Sequence, residues 1–308
     1  MLNKINRWLL VALAAQLLLI VALLSGRWLG HSGPSAEPLL SLSSTQVTEL
    51  QLVDQRDDEP SQLTLTQADN GWQFDVDGRT LPASPSLVEA LLTLLSDTEL
   101  NWPVASSGGA AERFATDADH FRQQLTLVTA EGEQQFYFGT SPSYQQLYVR
   151  RDGDDAVYSI DLDASQLSAD AQHWLDNRLL QVDPQALSEA QVDDIQLLQQ
   201  DGQWQPQNTQ TEFSLSAWQD WLQRWQSLIV SRLIAAEDAS AFTADGPVLT
   251  VDFGEAGRYQ LFQEGDRYAL SSSRYPGLFG LSNGTGSALA NTAPLWQSEA
   301  EEDSVTSP

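Results

Sequence analysis

Residues 125–138 read LTLVTAEGEQQFYF, and residues 249–262 read LTVDFGEAGRYQLF. Laid together without a gap, they are identical at Leu125/Leu249, Thr126/Thr250, Glu131/Glu255 and Phe138/Phe262. Leu127/Val251 and Tyr137/Leu261 are apolar in both. Each stretch is a pair of short runs rich in β-branched and aromatic residues around a Gly- and Glu-containing turn, which reads as an antiparallel hairpin. The pairing decides the architecture, because what precedes the hairpin also recurs in order.

Before the first copy, residues 47–53 (VTELQLV) alternate apolar and polar, the period of a half-buried strand. The acidic run Asp57-Asp58-Glu59-Pro60 makes a turn, and LTLT (63–66) and WQFDV (72–76) follow as strands around a hairpin signal at Asn70-Gly71. Ser84-Pro85 then opens a helix, a capping serine followed by proline at the first helical position. Val88, Leu91, Leu92 and Leu95 fall at i, i+3, i+4 and i+7 and form one buried face. After the hairpin, QLYVR (146–150) and VYSID (157–161) are strands joined by Asp152-Gly153-Asp154-Asp155.

The second copy begins at VDDIQLL (192–198), turns at Asp201-Gly202 and continues through QWQP around Trp204. Ser216 is the expected cap of a helix carrying Trp218, Trp221, Leu222, Trp225, Leu228 and Ile229 at the same spacing. RYALS (267–271) extends the second hairpin. Between the copies, residues 168–180 (SADAQHWLDNRLL) read as a connecting helix ending before Pro184.

A unit repeated twice is an internal duplication and too short an array for a solenoid. The expected fold is α+β: an N-terminal transmembrane helix followed by two similar lobes of mainly antiparallel sheet, each with a packed amphipathic helix. The expected divisions are an anchor over residues 1–30, a tether over 31–45, a first lobe over 46–163, and a connecting helix and linker over 164–190. A second lobe over 191–283 and an acidic, disordered tail over 284–308 complete the chain.

The anchor is read from residues 8–24 (WLLVALAAQLLLIVALL), interrupted only by Gln16 and extending to Leu29. That suffices for a hydrocarbon layer, which needs about 20 residues. Trp8 and Trp28 stand at its ends, where indoles favour the interface. Lys4 and Arg7 before the span favour a cytoplasmic N-terminus and an exported globular part. A cleaved signal peptide fits less well, because Arg27-Trp28 occupies the place of small cleavage-site residues. The expected location is the inner membrane, single-pass, with the globular part extracytoplasmic.

Composition narrows the function classes. Of 308 residues, 15 are basic and 42 acidic, a net charge of -27, and Lys4 is the only lysine. A chain so acidic has no basic surface to displace phosphate counterions, so no nucleic acid is expected as partner. The absence of cysteine removes disulfides, thiolate catalysis and cysteine-ligated metals.

No chemical motif stands up. GLSNG (280–284) has the form of a hydrolase elbow, but no histidine follows Ser282 and no helix start is read after it. His31, His120 and His173 lack metal-ligand spacing. The aspartates at 152–155 lack the calcium-loop register, and Asp161/Asp163 read as solvated strand-end acids. No catalytic residue, cofactor or metal is therefore expected. The candidate partner or ligand surface is the stripe Trp218, Trp221 and Trp225, whose competing reading is core packing.

NGWQF (70–74), FYFG (136–139), LYVR (147–150) followed by AVYSID (156–161), and LDNRLL (175–180) together resemble the domain-of-unknown-function family 4340. The resemblance spans residues 46–183. It implies a single-span, exported α+β protein encoded beside the permease and auxiliary subunits of a gliding-motility-type ABC transporter, and transfers no catalytic residue. The family's aromatic-Gly-Leu turn before the third major strand is replaced here by Phe114-Ala115-Thr116-Asp117. The expected function is a non-enzymatic, membrane-anchored accessory protein of an ABC-type complex. The alternative is a binding module for cell-wall saccharide or peptide on a Trp-rich surface between the lobes.

Overall fold

The computed structural model describes residues 37–40, 46–57, 59–208 and 210–297, with Gln16 alone before them. The apolar stretch 8–24, with Trp8 and Trp28, the tether up to residue 36 and the last eleven residues lie outside the described part. Among the described residues no helix is long and apolar enough to cross a membrane.

The fold is α+β, with two eight-stranded antiparallel sheets and few helices. A two-residue strand β1 (Glu37–Pro38) leads into β2 (Val47–Asp54), β3 (Ser61–Ala68), β4 (Gly71–Val76) and β5 (Arg79–Pro82), a meander. Helix α1 (Pro85–Asp97), the short β6 (Glu99–Leu100) and helix α2 (Ala110–Phe114) then cross to a second meander. Its strands are β7 (Gln123–Thr129), β8 (Gly132–Phe138), β9 (Gln146–Arg151) and β10 (Tyr158–Asp161). The sheet order is β10-β9-β8-β7-β2-β3-β4-β5, so the first strands of the two meanders pair at the centre. There Leu50 lies opposite Leu127 and Leu52 opposite Leu125, all fully buried. A bulge between Val47 and Glu49 resets the alternation, which is why Val47 and Leu50 are both buried. Helix α1 buries Val88, Leu91, Leu92 and Leu95, the stripe its spacing predicts.

The second sheet follows the same plan. Strands β11 (Glu189–Val192), β12 (Ile195–Gln200) and β13 (Gln203–Pro206) form a meander. Helix α4 (Leu215–Gln226), β14 (Arg232–Leu233) and helix α5 (Ala236–Thr243) cross to β15 (Leu249–Asp252), β16 (Arg258–Glu264), β17 (Arg267–Ser272) and β18 (Leu278–Leu281). The order is β13-β12-β11-β15-β16-β17-β18-β14, again with the leading strands β11 and β15 paired at the centre.

The gapless match of the two hairpins fails by one residue. Leu125 lies opposite Phe136, whereas Leu249 lies opposite Leu261. Two residues turn between Thr129 and Gly132, but three, the 3₁₀ turn Gly254–Ala256, turn between Phe253 and Gly257. Side chains alternate faces along a strand, so a one-residue slip exchanges them. Phe138 is therefore in the main core, and Phe262 is on the opposite face with Ile234, Phe242, Ala269 and Leu278. The structural counterpart of Phe262 is Tyr137.

Three further expectations are corrected. Ser214, two residues before Ser216, caps α4, its Oγ accepting the Ala217 N–H at 3.3 Å. The connecting helix over 168–180 is a single turn, α3 (Ala171–Trp174). Leu175 leaves it extended to bridge Ala83, and the Asp176 N–H donates to Pro82 C=O at 3.0 Å. Of the stretch expected to be helical, Leu175 forms an isolated bridge and residues 177–180 form a turn. The tail does not begin at 284: helix α6 (Asn283–Ala290) and the turn Ala293–Trp296 pack on the second lobe, with Leu289 and Leu295 buried.

The turn at residues 114–117 places an alanine where the backbone favours glycine. Ala115 caps α2 in the left-handed region, φ 55°, a conformation that glycine adopts without strain. The corner is crowded: a Cβ on Gly139 would lie 1.9 Å from the Phe114 carbonyl oxygen.

Candidate functional site

LDNRLL, over residues 175–180, forms the seam between the lobes. Its first residue bridges Ala83, just past the end of β5, and Leu179 and Leu180 are buried in a core continuous through both lobes. The Val230 N–H donates to the Asn177 carbonyl at 2.8 Å, and the Val182 N–H to the Trp225 carbonyl at 3.3 Å. Gln181 Nε2 donates to Leu228 C=O at 3.0 Å.

Beside this seam a cleft of about 770 Å³ opens between the lobes. One wall is the start of α1, with Ser84, Ser86 and Glu89; the floor is Gln172 to Arg178; Val230 and Ser231 close the other side. Pro85 stands at the first helical position, and Ser84 leaves the helix end uncapped by any side chain. Its Oγ instead shares a hydrogen bond with Ser86 Oγ at 3.1 Å. No acidic residue occupies the first turn of α1. The guanidinium of Arg178 forms no ion pair among the described residues, in a chain with a large excess of carboxylates.

His173 meets Trp174 edge-on, with ring centres 5.0 Å apart. Burial lowers its pKa below the ordinary imidazole value, with Asp170 partly opposing, so the ring is held toward its neutral form. Leu87 on the cleft wall is partly exposed, as is Ile229, next in sequence to Val230. Hydroxyls, amides, an arginine without an ion pair among the described residues, two carboxylates (Glu89 and Asp176, the latter accepting the Arg178 backbone N–H) and an imidazole suit hydrogen bonding to a polar segment. Among the described residues, the Ser84 and Ser86 hydroxyls share their hydrogen bond, Ser231 Oγ donates to the Gly280 carbonyl at 2.8 Å, and none of the three is paired with the His173 imidazole.

The tryptophan stripe lies elsewhere. Trp218 and Trp225 are fully buried and Trp221 is 2% exposed. Trp218 packs on Trp204 and Phe213, and Trp225 on Phe253 and Tyr259. They are the core of the second lobe and offer no ring to a ligand or partner. Trp221 Nε1 donates to Leu289 C=O at 3.0 Å, while Trp218 Nε1 and Trp225 Nε1 have no hydrogen-bond acceptor among the described residues and lie among aromatic rings.

The other motif residues have local duties. Ser282 does stand between a strand and a helix, contrary to the expectation that no helix follows. Its Oγ caps α6, accepting the Thr285 N–H at 3.1 Å. Asp161 accepts from Gln146 Nε2 at 2.8 Å. Asp163 forms a capping box over the turn Ala164–Leu167, and the Ser165 backbone N–H and hydroxyl hold its carboxyl below the usual range. Asp152 to Asp155 make the β9–β10 turn, tied by Arg150 Nη1 to the Asp154 carbonyl at 3.1 Å. His120 closes a turn with Asp117. Among the described residues no three His, Cys, Asp or Glu side chains gather as a metal site.

Sequence patterns alone did not assemble the cleft. Its walls, the Ser84-Pro85 start and the LDNRLL stretch, are conspicuous separately, but they lie about ninety residues apart and meet only through the Ala83–Leu175 bridge. No curated relative and no solved structure matches the chain. The model of a family described as a domain of unknown function, DUF4340, matches residues 76–247, starting later than the stretch carrying the resemblance and reaching into the second lobe. That match takes in more than half of the chain and every residue of the cleft, and the chain belongs to the DUF4340 family.

Proposed function

We propose that this chain is a non-enzymatic, membrane-anchored extracytoplasmic accessory protein of an ABC-type transport complex, and that it engages its partner through the cleft between its lobes. The observation that carries the reading is the cleft. Both lobes build it, its residues fall within the family match, and Arg178 and Glu89 are not consumed by the fold. The apolar stretch over residues 8–24 and the resemblance to exported proteins encoded beside a permease support the membrane setting.

Co-purification from mild detergent tests this. The wild-type chain is expected to bring down permease or auxiliary subunits, and Arg178→Glu to lose them at unchanged melting temperature. Recovery of the wild-type chain alone would count against the reading. A second reading, a module for a cell-wall peptide or saccharide, is favoured by the cleft's size, within the roughly 300–1,000 Å³ of small-ligand sites. It no longer rests on the tryptophans. Peptidoglycan pull-down that is lost in Arg178→Glu would promote it.

A further inference from the structure

We infer that residues 101–104, carrying Trp102 and Val104, are a bilayer-contact loop that sets the first lobe in a fixed orientation on the lipid surface. This rests on the anchored reading proposed above. Trp102 is 67% exposed and Val104 46% exposed, so the loop offers two apolar side chains to its surroundings. Isolated exposed apolar residues are ordinary, and it is the position of this pair that matters.

The register of β1 with β6 gives that position. Glu37 lies opposite Leu100 and Pro38 opposite Glu99, antiparallel, and the Leu39 N–H continues the ladder to Thr98 C=O at 2.7 Å. In an antiparallel pair, the chain leaving Leu100 heads toward the side from which the other chain arrives at Glu37. Residues 101–104 therefore project toward the side from which the apolar stretch is joined. The joint is firm. Leu39 and Leu40 are buried, and Arg151 of β9 grips the arriving segment, with Nε donating to Leu39 C=O at 3.1 Å and Nη1 paired with Glu37 at 3.4 Å. Arg151 Nη2 also donates to the Pro38 carbonyl.

The loop is mounted at both ends. Leu100 is held by β1, and Val104 donates its N–H to Val157 C=O at 2.8 Å, next to the Ala105–Val157 bridge. Pro103 between them restricts the backbone further. Little conformational entropy remains to be lost when the indole is covered. An indole with an apolar body and a polar N–H suits the headgroup layer. From Leu29 to Glu37 the chain can reach at most about 29 Å, at up to about 3.6 Å per residue. A lobe on so short a lead sees the surface at high effective concentration, so two side chains suffice there although a free chain of this charge would not stay bound.

The chain lacks cysteine, which permits a direct test. A polarity-sensitive dye is attached to Asn101→Cys or, as control, to Tyr144→Cys in the full-length chain reconstituted in phosphatidylethanolamine/phosphatidylglycerol vesicles. Tyr144 is 84% exposed and precedes the Gln146 end of β9, opposite the Arg151 end. The expected result is a blue shift and quenching by nitroxide-labelled lipid at 101 but not at 144, and loss of both effects at 101 when Trp102→Ser is added. A chain that floats with the vesicles while both dyes stay aqueous overturns the loop contact and leaves the anchor intact. A chain that does not float overturns the anchor and the inference with it. Protection at 101 that appears only when the permease is co-reconstituted overturns the lipid assignment in favour of a protein contact.

Discussion

Gln172 reaches from the seam into the second lobe, its Oε1 accepting the Leu233 backbone N–H at 2.7 Å. The bond occupies the N–H of an edge strand: β14 pairs with β18 on one side only, and Gln172 takes its Leu233 donor on the other. It also borders the cleft, so it ties lobe packing to the shape of the candidate site.

Replacing Gln172 by Leu keeps the volume and leaves the Leu233 N–H without its acceptor. The expected cost is about 1–3 kcal/mol in urea unfolding, with a larger loss of amide-exchange protection at Leu233 than in either sheet centre. Unchanged protection would mean that the bond does not hold the lobes.

His173 makes stability depend on pH. Burial depresses its folded pKa below the unfolded value of about 6.5, so the unfolded state takes up the proton first. The contribution is fully present above the unfolded value and is lost as pH falls through the folded one. The wild-type denaturation midpoint is expected to drop on going from about pH 7 to about pH 5, and His173→Gln to remove part of that drop. Parallel curves for the two proteins would exclude His173 as the source.

The tryptophans of α4 separate hydrogen bonding from packing. Trp221→Ala is expected to cost about 3–5 kcal/mol. Trp221→Phe strands the Leu289 carbonyl, whereas Trp225→Phe removes an indole N–H that had no acceptor. The Trp225→Phe protein is therefore expected to be the more stable of the two in guanidinium melts.

Two substitutions in the crowded corner act in opposite directions. Ala115→Gly relieves a left-handed backbone at a non-glycine residue and is expected to stabilise by about 1 kcal/mol, read as a higher thermal midpoint.

Gly139→Ala drives a methyl into the carbonyls of Phe114 and Ala115 and is expected to destabilise by about 3 kcal/mol or more. A neutral effect would show that the β8–β9 corner yields easily.

Local elements were readable because each is governed by a short period. The stripe Val88, Leu91, Leu92 and Leu95 predicted the face of α1, and the alternation in β2 predicted a half-buried strand, apart from the bulge near Val47. The cleft was not readable, since Ser84 and Arg178 belong to no common pattern and come together only when Leu175 pairs with Ala83. The tryptophan stripe was equally visible either way, because an amphipathic helix looks alike whether its apolar face meets a sheet or a partner.

By itself, the sequence determined the apolar N-terminal stretch, the acidity, the lack of cysteine, most of the longer strands and the helices that start at Pro85 and Leu215, since composition and periodicity are local properties. Tertiary structure alone decided the rest. It put Phe138 and Phe262 on different faces through one extra turn residue, turned an expected helix into a bridged seam, and folded residues 283–296 onto the second lobe. In the last two cases a long-range partner, Ala83 for Leu175 and Trp221 for Leu289, outweighed the local preference, because burial and hydrogen bonds made at a distance leave no trace in the spacing of neighbours.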